Sequence, residues 1–226
     1  MNPVGVAVGI SVRFIGNVQG GNARSVRDAS AVSVDEAGFR TPSIHLGPAD
    51  ARVMVRVFND YDCPFCKAHH STLQSLVQQD SSISIALAYY HFPNINLHPA
   101  SRRKAVFLEC VASSDWKQDD RNLTMVHDLL FEADWSQVSA LADSGSTTVR
   151  AVVGTSVDII DTCVKAAEAD DQKYAAAVDR DMEYAVSIGA RGTPTSVING
   201  RLVPGALPPG VLLRYVRESS YPSDGH

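Results

Sequence analysis

The stretch Arg52-Val53-Met54-Val55-Arg56-Val57-Phe58-Asn59-Asp60-Tyr61-Asp62-Cys63-Pro64-Phe65-Cys66-Lys67 decides the fold. The run Arg52 to Phe58 is rich in β-branched side chains and predicts a strand. Lys67 to Gln79 then carries helical spacing, with Leu73, Leu76 and Val77 on one face. The C-x-x-C between them therefore sits at a strand-to-helix turn. Backbone N–H groups at a helix N-terminus lack partners and face the positive end of the helix dipole, so both favour the thiolate of Cys63 over its thiol. Cys66, one turn further in on the same face, can attack back on a mixed disulfide. Pro64 suits the first helical turn, where its missing N–H has no intrahelical partner to lose.

Three kinds of chemistry fit such a pair: a redox dithiol, which is the preferred reading, a zinc site, or a purely structural disulfide. His69 and His70 follow the cysteines closely and complete a possible ligand set. Structural zinc sites, however, usually draw their ligands from two separated pairs, and no second Cys/His pair stands elsewhere in the chain. His69 and His70 are therefore expected on the helix surface, and His45, His127 and His226 receive the same reading. No metal and no cofactor is expected, because exchange between sulfurs needs neither.

Working outward, Ile83 to Phe92 predicts a second strand ended by Pro93. From His98 to about Ile188 the pattern is helical, broken at Ser113-Ser114, Asp143-Ser144-Gly145 and Asp170-Asp171, and closed by Gly192-Thr193-Pro194. Thr195-Ser196-Val197-Ile198, Asn199-Gly200 and Arg201-Leu202-Val203 spell a hairpin with a favoured two-residue turn, and a last helix runs from about Pro209 to Glu218. Upstream, Val32-Ser33-Val34 and Ser43-Ile44-His45-Leu46 are short extended segments. Between Val4 and Phe14 the even positions are bulky and apolar, which reads as a strand in preference to a signal peptide. Residues 16–25 read as a linker. The order is thus β, β-α-β, a helical block, then β-β-α: an α/β thioredoxin fold with a large inserted helical domain. Its parts are an extension (1–30), a first fold half with the C-x-x-C (31–95), the insertion (96–188) and a second half (189–226). Arg56 is out of place in its apolar strand, where a buried ion pair or a strand-edge position would accommodate it. Trp116, Phe131 and Trp135 are expected to be packing residues.

Composition sets the outer bounds. The chain has 226 residues, 45% of them apolar, and its 20 basic and 25 acidic side chains give a net charge of −5. That composition excludes disorder for the bulk of the chain and allows one large domain. Without a long Lys/Arg tract there is no electrostatic ground for a nucleic-acid partner or an anionic membrane surface. No stretch reaches the ~18 apolar residues of a membrane span. The four cysteines allow three pairings, and Cys110 and Cys163 remain if the close pair bonds with itself.

The chain resembles the DsbA-type thiol:disulfide oxidoreductases of the thioredoxin superfamily. Leu46-Gly47-Pro48-Ala49-Asp50-Ala51, leading through Val57 to Asp62 into Cys63-Pro64-Phe65-Cys66-Lys67, looks like their entry. Similar landmarks follow in order: His91-Phe92-Pro93 with His98-Pro99-Ala100, His127-Asp128-Leu129-Leu130-Phe131, Gly192-Thr193-Pro194-Thr195, and Asn199-Gly200 with Gly205. The resemblance covers roughly residues 45–218. It implies a cis Pro194 facing the dithiol, with Thr193 offering backbone polar groups to a bound peptide.

It further implies an extracytoplasmic protein that acts as a monomer and is compatible with a membrane anchor in a longer form. Such a protein passes its Cys63–Cys66 disulfide to reduced client polypeptides and is reoxidised by a membrane-bound partner. A reductase or isomerase, or a non-enzymatic binding module on the same scaffold, is the alternative. Two departures from the family stand out. Relatives often carry a buried acid six residues before the first cysteine, where this chain has Val57, and Asp60 and Asp62 are expected on an exposed loop, so the proton acceptor for Cys66 is in doubt. Phe65 stands where the best-known member has histidine, so Cys63 should be acidified less than in that case. Cys110 and Cys163 look like buried helix positions; the resemblance and an oxidising compartment favour a structural disulfide over free buried thiols.

Overall fold

The computed structural model describes residues 32–79, 82–113, 120–132, 157–169 and 172–220. Within them, β1 (Ile44–Leu46), β2 (Val53–Asn59), β3 (Ile85–His91), β4 (Thr195–Ile198) and β5 (Arg201–Pro204) form one sheet in the order β1-β3-β2-β4-β5. The helices are α1 (Pro64–Gln79), α2 (Ser101–Ser113), α3 (Asp120–Glu132), α4 (Val157–Ala169), α5 (Gln172–Ser187) and α6 (Pro209–Ser220). β2 and β3 are parallel, with Val57 opposite Tyr89. Their parallel pairing requires a crossover, and α1 supplies it. β4 runs antiparallel to β2, with Phe58 opposite Thr195, and β5 antiparallel to β4. This is the thioredoxin arrangement with helices α2 to α5 placed between its halves. The N-terminal strand and linker expected over residues 4–25, Trp116, Trp135, His226 and the Asp143-Ser144-Gly145 break lie outside the described residues.

The pleat of β2 sorts its side chains between two cores. Val53, Val55 and Val57 join Leu73 and Leu76 of α1, Leu212 and Val216 of α6, and Phe107, Leu108 and Phe131 of the helical region. Phe58, Tyr90 and Val197 form a second core with Ala185 and the ring of Phe39. Val77 departs from expectation: it is exposed, because the buried stripe of α1 is centred on Leu73 and Leu76. Arg56 falls on the second face of the central strand, so an edge position is excluded. Its guanidinium instead pairs with Glu36 at 2.8 Å at the rim of the core and stacks 4.8 Å above the Phe39 ring.

The β4–β5 turn needs Asn199 and Gly200 at φ 43° and 77°. Asn and Gly tolerate that left-handed backbone, and it matches the twist of the flanking strands. In the helical region α2 packs on α4 and α5, and Cys110 and Cys163 are bonded across the α2–α4 contact, Cα–Cα 5.3 Å. Arg40 ties the segment before β1 to this region, donating to Asp181 at 2.6 Å and to Glu109 at 2.7 Å. No helix among the described residues is long and apolar enough to cross a membrane.

Candidate active site

The chain leaves β2 at Asn59, turns through Asp60-Tyr61-Asp62 and enters α1 at Pro64. Cys63 is the first residue of the turn-to-helix junction: its N–H donates to the Asp60 carbonyl at 3.2 Å, and its carbonyl accepts from Lys67 N–H at 3.1 Å. Asp62 N–H donates to Asp60 Oδ1 at 2.9 Å and closes the turn. The helix starts three residues earlier than its apolar spacing suggests, because Pro64 can open a helix without contributing to that spacing. Cys63 and Cys66 are not bonded to each other here, and both are buried.

From the far end of the chain comes Thr193, whose carbonyl lies 3.7 Å from Cys63 Sγ. The Thr193–Pro194 peptide bond is cis. Thr193 also lines a cleft of about 380 Å³ with Phe92, Pro93, Ile95, Met182 and Arg191. Phe65, between the two cysteines, is 66% exposed. The cleft beside the dithiol is thus lined by apolar Phe92, Pro93, Ile95 and Met182 together with the polar Asn94, Asn96 and Arg191.

The two thiols are driven apart electrically. A hydrogen bond from the Cys66 thiol lowers Cys63 to about 5 against the resistance of burial, helped by the N–H groups of Cys66 and Phe65 and by Thr193. Burial raises Cys66, and its bond to Cys63 and the charge there raise it further. The pair thus rests as a Cys63 thiolate beside a Cys66 thiol. Asp60 N–H also donates to Cys66 Sγ at 3.4 Å.

Asp60 is not on an exposed loop: its exposure is 0%. Its carboxylate accepts from Ser101 Oγ at 2.5 Å, Asn94 N–H at 2.7 Å, His98 Nδ1 at 2.8 Å and Asp62 N–H at 2.9 Å. Three of these donors, Ser101, Asn94 and His98, come from chain segments some 34 to 41 residues away, so the local sequence shows a polar turn and nothing of its burial. Asp62 is half-buried, held at 2.5 Å by Lys104 Nζ, which also donates to the Leu130 carbonyl at 3.0 Å. Sequence reasoning noted His98 as a landmark and missed its bond to Asp60 in the turn that carries the dithiol; Lys104 carried no signal.

The histidines expected on the surface are mostly inside. His69, His70 and His127 are buried. His69 Nε2 meets Ser196 Oγ at 2.9 Å, His70 meets Tyr89 Oη at 2.8 Å and Asp128 at 2.9 Å, and His127 Nδ1 meets Tyr61 Oη at 2.7 Å. Polar partners across the fold offset the cost of burying these rings. Among the described residues no three His, Cys, Asp or Glu are grouped to hold a metal ion.

The family described as Thioredoxin matches residues 40–217. Disulfide bond formation protein D of Bacillus subtilis is 27% identical over 165 residues, covering 70% of this chain and 68% of that protein. The crystal structure of oxidised BdbD from Bacillus subtilis superposes with a TM-score of 0.63 at 22% identity, covering 86% of this chain and 99% of that one. A periplasmic thioredoxin-like protein from Salmonella enterica serovar Typhimurium gives 0.57 at 23% identity, covering 81% and 94%. With the cysteine pair at the helix start, these matches identify the chain as a member of the thioredoxin family, a thiol:disulfide oxidoreductase of the DsbA type.

Proposed function

We propose that the chain is an oxidase that donates the Cys63–Cys66 disulfide to reduced client polypeptides outside the cytoplasm. A client thiolate attacks Cys63 Sγ; the Cys63–Cys66 bond breaks, and Cys66 leaves with the electron pair and takes up a proton. A second client thiolate then attacks the client sulfur of the mixed disulfide and expels Cys63 as thiolate. The client loses two electrons and the enzyme gains them, so a reoxidising partner, a membrane protein by resemblance to the family, completes the cycle. The exposed ring of Phe65 between the cysteines and the apolar side chains of Phe92, Pro93, Ile95 and Met182 in the cleft suit an unfolded client. A likeness to a periplasmic protein and to a disulfide bond formation protein supports the compartment.

The observation that carries the direction is the lowering of Cys63 to about 5. Stabilising that thiolate stabilises the reduced enzyme, and an enzyme whose reduced form is stabilised passes its disulfide on. Equilibration across glutathione ratios, with free thiols trapped at each, tests this. A potential at or above the roughly −180 mV of protein disulfide isomerase is expected; one near the ~−270 mV of thioredoxin makes the chain a reductase.

A further inference from the structure

Phe65 leaves the segment between the cysteines without a cation, and Lys67, the nearest base on α1, is turned away to Glu132 at 2.6 Å. The buried Asp60 carboxylate has its own requirement. Three of its donors, Ser101 Oγ and the N–H groups of Asn94 and Asp62, are neutral, and His98 is the one that can carry charge. A carboxylate with no exposed surface is costly unless a charge compensates it. His98 is 22% exposed at its side chain, so its ring reaches solvent while Nδ1 is anchored on the buried Asp60. Asp60 in turn touches both cysteines through its backbone, accepting from Cys63 N–H and donating to Cys66 Sγ.

We propose that His98 supplies the positive charge that stabilises the Cys63 thiolate, and that the Asp60 carboxylate is the positioning group that holds its imidazolium against the redox turn. This rests on the reading of Cys63 as the exchanging sulfur. Burial opposes the charge on His98, but its hydrogen bond to Asp60 and the charge there, and after them the charges on Cys63 and Asp62, hold the imidazole above its ordinary range. The other charged groups at the site are Lys104 of α2, already bound to Asp62, and Arg191 across the cleft. Coupling between two sites is reciprocal: if the thiolate favours the proton on His98, the proton on His98 favours the thiolate to the same degree. His98 must then bind its proton more tightly in the dithiol form than in the disulfide form.

Two measurements on the full chain test this. In His98→Gln, which keeps a side-chain donor and loses the charge, the Cys63 thiolate absorbance of the reduced protein should titrate on the order of one pH unit higher than in the wild type. By imidazole NMR of the wild type, His98 should titrate at higher pH in the reduced than in the oxidised protein. A folded His98→Gln with an unmoved Cys63 titration, or an unshifted His98 between the two redox states, overturns the proposal. The second measurement needs no variant and stands even where His98→Gln fails to fold. Failure of the underlying reading has a different signature: a wild-type dithiol that does not exchange with glutathione at all.

Discussion

The Thr193 carbonyl lies 3.7 Å from Cys63 Sγ, although 130 residues separate the two along the chain. That contact places an acceptor from the second half of the fold against the sulfur presented by the first. The local motif supplies the two sulfurs and the N–H groups that face Cys63, and the tertiary structure adds Thr193 against them.

With Cys63 lowered to about 5 and Cys66 raised, alkylation of the reduced protein should follow one wave with a midpoint near pH 5. Cys66 should stay unmodified through neutral pH. A midpoint near the ~3.5 of the most acidic thiols of this type would show that Phe65 costs the thiolate nothing. The same displacement bears on stability. A thiol whose folded value is depressed adds stability that is full above its ordinary value near 9 and is lost as pH falls toward about 5. Urea titrations of reduced and oxidised protein should show the reduced form gaining on the oxidised between pH 5 and 9.

Lys104 and Asp62 should respond unequally to mutation. Lys104 is 1% exposed and cannot reach water, whereas the Asp62 side chain is 25% exposed and can. Asp62→Ala removes the carboxylate that faces the buried Lys104 ammonium and should cost about 3 kcal/mol or more. Lys104→Met leaves a carboxylate that can hydrate and one carbonyl of Leu130 without this donor, which should cost about 1–3 kcal/mol. Equal midpoint shifts in urea, or the reverse order, contradict this account.

His69 is held neutral by burial, lowered to about 4, with the charge of His70 adding to the effect. A histidine with a depressed folded value contributes stability that is full above the unfolded value near 6.5 and lost as pH falls through 4. Urea midpoints should therefore drop between pH 7 and 5, and the drop should be smaller in His69→Gln. An identical drop in wild type and variant would place the acid sensitivity elsewhere.

Replacing Cys110 and Cys163 together by alanine removes a crosslink between residues 53 apart. The chain-entropy picture puts the loss at roughly 4 kcal/mol, with measured disulfides often below that. The Cys63–Cys66 potential should stay put, since the bridge lies in the α2–α4 packing. A shift of that potential in the variant would tie the helical region to the redox chemistry.

What could be read in advance follows the range of the forces involved. The strand, the C-x-x-C turn and the helix are each set by neighbours within a few residues, and the Asn199-Gly200 hairpin by its turn, so Arg52 to Gln79 and Thr195 to Val203 were legible as written. Val77 was misplaced by one face because helical spacing gives a stripe and not its centre. Arg56 was flagged as anomalous, but its partners Glu36 and Phe39 precede it by some 20 residues, and no local rule selects them.

The sequence by itself determined the chemistry available: two sulfurs one helical turn apart, at a helix start that favours the thiolate of the first. Tertiary structure decided what surrounds that local motif. Only the packed fold buried Asp60, brought His98 to it, drew His69, His70 and His127 inside, and set Thr193 against Cys63. A turn is governed by the backbone torsions of adjacent residues, whereas burial and charge pairing depend on which distant segments close over a group, and that is settled only when the sheet and helices pack together.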